Sequence, residues 1–263
     1  MQPLSLTAPA KLNLWLELRG GVRPDGRHEL RSHFAPLELS DRLTLQPADA
    51  FGLIVEGPFS AQVPTDQRNL LWQTYDGFSK RFAPLPPVYI SLEKNIPHGA
   101  GLGGGSSDAG ALLGHLANEH NIPLEEVRAW SLRLGADVPA AIGPHCGLVT
   151  GVGEQIGEFI APPKSKVLLI KPQESCPTGA VFRAYKEAGA APAISRNDLE
   201  MAARQVCPSL GPILDYLRTE VHPEAQITGS GSTCFALVSQ DWTLGSLDLP
   251  GEPWVCLTDF RRP

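Results

Sequence analysis

No stretch of the 263-residue chain holds the ~18–20 uninterrupted apolar residues that a membrane helix needs. The opening segment, MQPLSLTAPAKLNLWLELRGG, lacks both the charged start and the apolar run of a secretory leader, so a soluble, cytoplasmic protein is expected. A Cys-x-x-Cys pair is also missing. The five cysteines (Cys146, Cys176, Cys207, Cys234 and Cys256) are odd in number and widely scattered, which favours reduced thiols over disulfides or a zinc ribbon. His33, His98, His115, His120, His145 and His222 show no metal-ligand spacing, and no metal ligand is assigned. A basic excess is absent too: 22 Lys and Arg stand against 28 Asp and Glu, for a net charge of -6. This argues against capture of nucleic acid by a basic stripe, while leaving room for a local pocket that takes a phosphorylated small molecule. There is no internal repeat, low-complexity tract or long linker.

What remains is ordinary globular composition, 42% hydrophobic and 19% charged, in a length that suits one large domain or two intimate ones. Leucine at every second place in 12–18 predicts a strand, and 20–30, with its Pro24-Asp25-Gly26 bend, a turn-rich loop. Further strands are expected in 33–48, 51–57, 87–95, 147–159 and 165–172, and 225–239 and 252–260 give strand–turn–helix or strand signals. Helical spacing marks 65–82, with Asp66 as a candidate cap, and 107–120. The segment 122–135 has Pro123 and two acids at its start and Gly135 at its stop. The segments 179–188 and 197–220 read as helices as well. Short strands with interspersed helices indicate an α+β fold. The Pro- and Lys-bearing stretch near 150–162 places a boundary between an N-terminal domain, 1–155, and a C-terminal domain, 156–263.

The segment PHGAGLGGGSSDAG, residues 97–110, concentrates glycine between a strand and an apolar-striped helix. Glycine lets the backbone approach a ligand closely and adopt positive φ. Successive free N–H groups make a concave anion site, to which the following helix adds its own amides and positive dipole end. Ser106 and Ser107 can cap that helix or donate to phosphate oxygens. A mobile linker would not sit between such flanks. The Walker signature is excluded because no Gly-Lys-Ser/Thr occurs. Gly99, Gly101 and Gly104 spell the dinucleotide fingerprint, but Lys94–His98 separates them from the strand, and no acid ends a second strand about 20 residues on. The protein-kinase motifs HRD and DFG are absent.

The same segment resembles the phosphate loop of the GHMP small-molecule kinases, whose Pro-x3-Gly-Leu-Gly/Ser-Ser-Ser pattern is met by Pro97, Gly101, Leu102 and the run to Ser107. The longer GLGGGSSDA form resembles one branch, whose acceptor alcohol is a cytidine-diphosphate-linked methylerythritol of the non-mevalonate isoprenoid route. Six more matches follow in order: Pro9–Leu14 (PAKLNL); Asp25, Gly26, His28 and Leu30 (DGxHxL); Gly135–Pro139 (GADVP); 151–154 (GVGE); 196–200 (RNDLE); and 229–237 (GSGSTCFAL). The resemblance implies the two-domain GHMP α+β fold and phosphorylation of the acceptor's 2-hydroxyl by ATP, with Mg2+ accompanying the nucleotide. The partner is a small molecule carrying a cytidine diphosphate group, and the protein is expected as a monomer or homodimer.

On residue type alone, a lysine opening a strand is usually a solvated charge, and an acid after a helix stop is usually a cap. The resemblance instead makes Lys11 and Asp137 a catalytic pair. Asp137 accepts or orients the hydroxyl proton. Lys11 keeps that carboxylate ionised and stabilises charge on the transferring phosphoryl. It further implies that Pro97, His98, Gly99, Ala100, Gly101, Leu102, Gly103, Gly104, Gly105, Ser106 and Ser107 hold ATP. Asn13, His28, Thr178, Phe182, Gly229 and Ser230 are implied to hold the acceptor. The family often has tyrosine before the histidine matched by His28. This chain has Arg27, whose guanidinium plane can stack on a base; otherwise that role falls to Phe182. Two rivals stay open: a GHMP kinase with another acceptor, and a non-catalytic nucleotide sensor, against which the retention of Lys11 and Asp137 argues.

Overall fold

The computed structural model describes residues 3–24, 26–143, 145–189 and 196–262. Asp25, and with it the centre of the expected Pro24-Asp25-Gly26 bend, lies outside the described residues. The alternation seen in 12–18 belongs to a longer strand, β1 (Leu4–Val22), which pairs antiparallel with the similarly long β2 (His28–Pro47). The expected loop thus shrinks to the few residues between them. β3 (Gly52–Glu56), β4 (Val88–Glu93), β5 (Gly147–Gly151) and β6 (Gln155–Phe159) complete a sheet of order β3-β4-β2-β5-β6, with β1 lying on β2. Within this sheet, among the described residues, β3 and β4 pair in parallel. A second, antiparallel sheet runs β10-β7-β9-β8, from β7 (Lys166–Lys171), β8 (Gln226–Ile227), β9 (Cys234–Val238) and β10 (Trp254–Asp259). The chain passes between the sheets through 160–165.

The helices α1 (Leu70–Arg81), α2 (Gly104–Glu119), α3 (Leu124–Ser131) and the short α4 (Val138–Ala141) go with the first sheet. α5 (Thr178–Glu187), α6 (Glu200–Val206) and α7 (Leu210–Tyr216) go with the second. Two expectations change. Asn69, not Asp66, caps α1: its Oδ1 accepts the Leu71 amide at 2.9 Å, whereas Asp66 is held by Arg68. The single helix expected over 197–220 is divided at Cys207, because Pro208 has no N–H to continue the ladder and crowds the residue before it.

Three large apolar clusters, with a small fourth around Phe34, Ala140 and Val149, hold the described residues together. The first packs Leu43, Ile90 and Leu92 of the sheet against Phe78 of α1 and Leu112 and Leu113 of α2. The second buries the face of the other sheet under α5–α7. The third lies between the sheets and joins Leu12 and Leu37 to Leu169, Phe235 and Phe260, with Ala100 and Leu102 of the glycine loop inside it. β1 threads all three, through Ala8, then Leu12, then Leu16. Leu102 is 1% exposed. Burying a leucine stabilises by about 1.5–3 kcal/mol, so this one side chain ties an otherwise side-chain-poor loop to the core.

Candidate active site

The glycine loop takes its shape from alternation. Gly99, Gly101 and Gly103 have φ of 64, 74 and 70°, the left-handed region that favours glycine. At Gly101 space decides as well, because a Cβ would lie 2.5 Å from the Thr228 carbonyl oxygen and 2.6 Å from that of Gly231. The loop is thereby locked to the turn that follows β8, and the Thr233 amide donating to Ala100 O at 3.1 Å closes the contact. α2 begins at Gly104, inside the glycine run rather than after it, so the amides of its first turn belong to the cradle.

Lys11 reaches this loop because β1 breaks its register with β2 between Pro9 and Lys11. The Lys11 amide donates to Leu102 O at 2.9 Å. Its side chain lies along Gly103, where a Cβ would meet Lys11 Cγ at 2.8 Å. The ammonium donates to Asn13 Oδ1 at 2.5 Å, lies 3.4 Å from Asp137 Oδ2, and sits 5.1 Å above the Phe34 ring centre. Asp137 occupies the cap position of α4, yet its side chain makes no capping hydrogen bond. It faces Lys11 instead.

A cleft of about 1030 Å³ joins these groups. Pro97, His98, Gly99, Ala100, Gly101, Gly103, Gly104, Gly105 and Ser106 line it together with Lys11, Asn13, His28, Asp137, Thr178, Phe182, Gly229 and Ser230. Leu102 and Ser107 do not. Leu102 is in the core, and the buried Ser107 hydroxyl donates to Pro9 O at 2.6 Å, fastening α2 to β1 rather than facing a ligand. Asn13 is 2% exposed and already bonded: Nδ2 donates to Ser32 Oγ at 2.8 Å while Oδ1 receives Lys11. Its amide therefore fixes the lysine. Gly229 lies beside both, since a Cβ there would meet Lys11 Nζ at 3.2 Å. The Thr178 and Ser230 hydroxyls are 2.9 Å apart, linking the start of α5 to that turn. Also lining the cleft, the His28 and Phe182 rings stack at 5.2 Å, with Tyr185 edge-on to His28.

Several supporting residues carried no role in the sequence reading. Asn197, inside the RNDLE match, donates to Ile227 O and Gly229 O and so positions the turn next to Lys11. Beneath the cradle, the buried Lys94 ammonium bonds Asp41, and Asp108 at 3.0 Å. Burial, reinforced by the neighbouring Asp41 charge, pushes the Asp108 carboxyl up to about 8 despite Lys94. Burial alone would lower the Lys94 ammonium, but the two carboxylates outweigh it and raise it. Asp108 is buried, and no local sequence pattern reveals that it meets Lys94 together with an acid from β2. All five cysteines are free, and burial pushes the Cys176 and Cys207 thiols to about 11 and about 12. Among the described residues no group of three or more His, Cys, Asp or Glu is placed to hold a metal, and no helix is long and apolar enough to cross a membrane.

A glycine cradle, an ammonium–carboxylate pair and two packed sheets around one cleft define a small-molecule kinase of the GHMP class. Residues 69–144 match the family described as GHMP kinases N terminal domain. The chain belongs to the 4-diphosphocytidyl-2-C-methyl-D-erythritol kinase family: it is 38% identical to that kinase from Caulobacter vibrioides (strain NA1000 / CB15N), over 90% of this chain and 91% of the relative. The crystal structure of a 4-(cytidine 5'-diphospho)-2C-methyl-D-erythritol kinase superposes with a TM-score of 0.71 at 30% identity, covering 97% of this chain and 99% of that one. A homoserine kinase from Cytophaga hutchinsonii shares the fold, with a TM-score of 0.66 at 15% identity, over 92% of this chain and 87% of that one.

Proposed function

We propose that the chain transfers the γ-phosphoryl group of ATP to the 2-hydroxyl of 4-diphosphocytidyl-2-C-methyl-D-erythritol, a step of non-mevalonate isoprenoid precursor synthesis. The observation that carries this reading is the Lys11–Asp137 contact at 3.4 Å in the same cleft as the glycine cradle. The amides of 99–106 bind the nucleotide's phosphates. Val63, Pro64 and Leu70, which also line the cleft, offer apolar surface to the base. The acceptor's cytosine stacks against Phe182, replacing one ring of the His28–Phe182 stack, while His28 turns to the base edge.

The acceptor oxygen then attacks phosphorus in line, forming the new O–P bond as the bond to the leaving ADP oxygen breaks. Asp137 receives or directs the departing proton. Lys11, fixed by Asn13, stabilises the charge that builds on the transferring group. Asp108 would hold the magnesium that accompanies ATP, and the ion would supply neutralisation of phosphate charge. Such an ion needs only one or two protein carboxylates besides phosphates and water. The fit rests on Asp108, whose Oδ1 is buried at the cleft without a hydrogen-bond partner.

We place the reaction in the cytoplasm, in a monomer or homodimer of two domains, 1–155 and 156–263; the two separate sheets support a two-domain reading, and the pairing of β6 with β5 favours a division a few residues further on. The test is an acceptor screen with purified protein and ATP. Phosphorylation of the cytidylyl substrate, with mevalonate and homoserine untouched, is expected; transfer to either alternative with none to the cytidylyl compound would overturn the assignment.

A further inference from the structure

Among the described residues, six cations and two carboxylates line the cleft of a chain whose net charge is -6. Most of the cations are already accounted for. Lys11 faces Asp137, Lys94 is bracketed by Asp41 and Asp108, and Arg68 is held by Asp66. Arg27, on the hairpin beside His28, has contacts of its own. Arg183 and Lys186 remain, and neither has an acidic partner among the described residues. Both lie on α5, one turn apart, on the stripe that also presents Thr178, Gly179 and Phe182 to the cleft, while Val181 turns into the core.

Their placement along the cleft is specific. Phe182 marks the aromatic end, where it stacks with His28. Thr178, one turn earlier, bonds Ser230, next to Gly229 and Lys11. Between these points the Arg183 guanidinium folds back along the helix: its Nη1 lies 3.7 Å from where a Cβ on Gly179 would stand. An uncompensated Arg183 between an aromatic slot and a hydroxyl-activating pair, with Lys186 one turn further along α5, suits a ligand whose own anion lies between a ring and an alcohol.

We infer that Arg183 and Lys186 form the subsite for the acceptor's diphosphate and select a nucleoside-diphosphate-linked alcohol over an uncharged one. This rests on the proposed acceptor. Arginine gives a planar fork to the phosphate oxygens, and lysine a mobile point charge at the rim.

Calorimetric titration with cytidine and with cytidine diphosphate, on wild type, Arg183→Gln, Lys186→Gln and the double variant, tests it. Wild type binds the diphosphate more tightly than the nucleoside. Each single variant loses about 3- to 10-fold of that preference, the double variant loses more, and Arg183→Lys recovers part of it. In turnover assays the loss appears in the acceptor KM, while the KM for ATP keeps its wild-type value. Variants that retain the full wild-type preference overturn the subsite and leave the kinase reading standing. Wild type that binds neither compound overturns the cytidylyl acceptor itself, and the subsite with it.

Discussion

The Lys11 ammonium lies 2.5 Å from Asn13 Oδ1 and 3.4 Å from Asp137 Oδ2, so one cation is oriented by a buried neutral amide and faces a partly open carboxylate. The asymmetry has a chemical use. Asn13 cannot take a proton from the acceptor, and Asp137 can. Asn13→Ala should leave the lysine without its fixed acceptor and lower kcat by about 10-fold or more, with little change in ATP affinity. Steady-state kinetics with nucleotide titration checks this.

The loop glycines are not equivalent. Gly101→Ala would press a methyl group onto two carbonyl oxygens at a residue with φ of 74°, so a loss of about 1–3 kcal/mol is expected from backbone strain alone, with further loss from the clash. Gly105→Ala meets no atom within 4 Å on a helical backbone and should be neutral or slightly stabilising. Thermal melts of the two variants, side by side, measure the contrast.

The buried Asp41–Lys94–Asp108 group gives stability a pH dependence. The Asp108 carboxyl titrates higher in the folded protein, at about 8, than its ordinary 3.8, first because it is buried and also because Asp41 is near. The folded state therefore holds this proton more tightly than the unfolded chain. The resulting stabilisation is full below about pH 4 and is lost as pH rises towards about 8. Asp108→Asn should flatten this part of the pH dependence of melting. Lys94→Met, which leaves two buried acids without their cation, should cost about 3–5 kcal/mol at neutral pH.

A brace connects the acceptor end of the cleft to the base. Arg23, on the hairpin before His28, donates to Glu29 at 3.1 Å and to Glu154 at 2.8 Å. Glu154 in turn accepts the Val152 amide, and a Cβ at the adjacent Gly153 would stand 2.4 Å from Ala136 O, beside Asp137. Glu154→Gln should raise the acceptor KM several-fold while shifting stability by less than about 1 kcal/mol, since the pair is partly exposed. Comparing the KM for acceptor with that for ATP reads the effect.

The local elements were legible because they obey local rules. Leucine alternation marked β1, and glycine between strand and helix marked the cradle. What sequence left open is set by contacts across the chain. Asn197 gains its role only because β1 bridges to it and the turn at 229 lies above it. Ser107 looks like a phosphate donor until Pro9 O is seen to accept its hydroxyl. Nothing around Asp108 in the sequence shows that Lys94 and Asp41 surround it. Lys11 and Asp137 became a pair through family resemblance, since nothing in their own surroundings in the sequence brings a strand lysine to a residue just before α4.

The central claim is that Asp137 acts on the acceptor hydroxyl rather than on ATP. Turnover and ATP binding of Asp137→Asn, measured on the same preparation, test it most directly. A fall in kcat by about 10³-fold with ATP affinity preserved is the predicted result. Near-wild-type turnover, or loss of ATP binding in a protein that still melts normally, would contradict it.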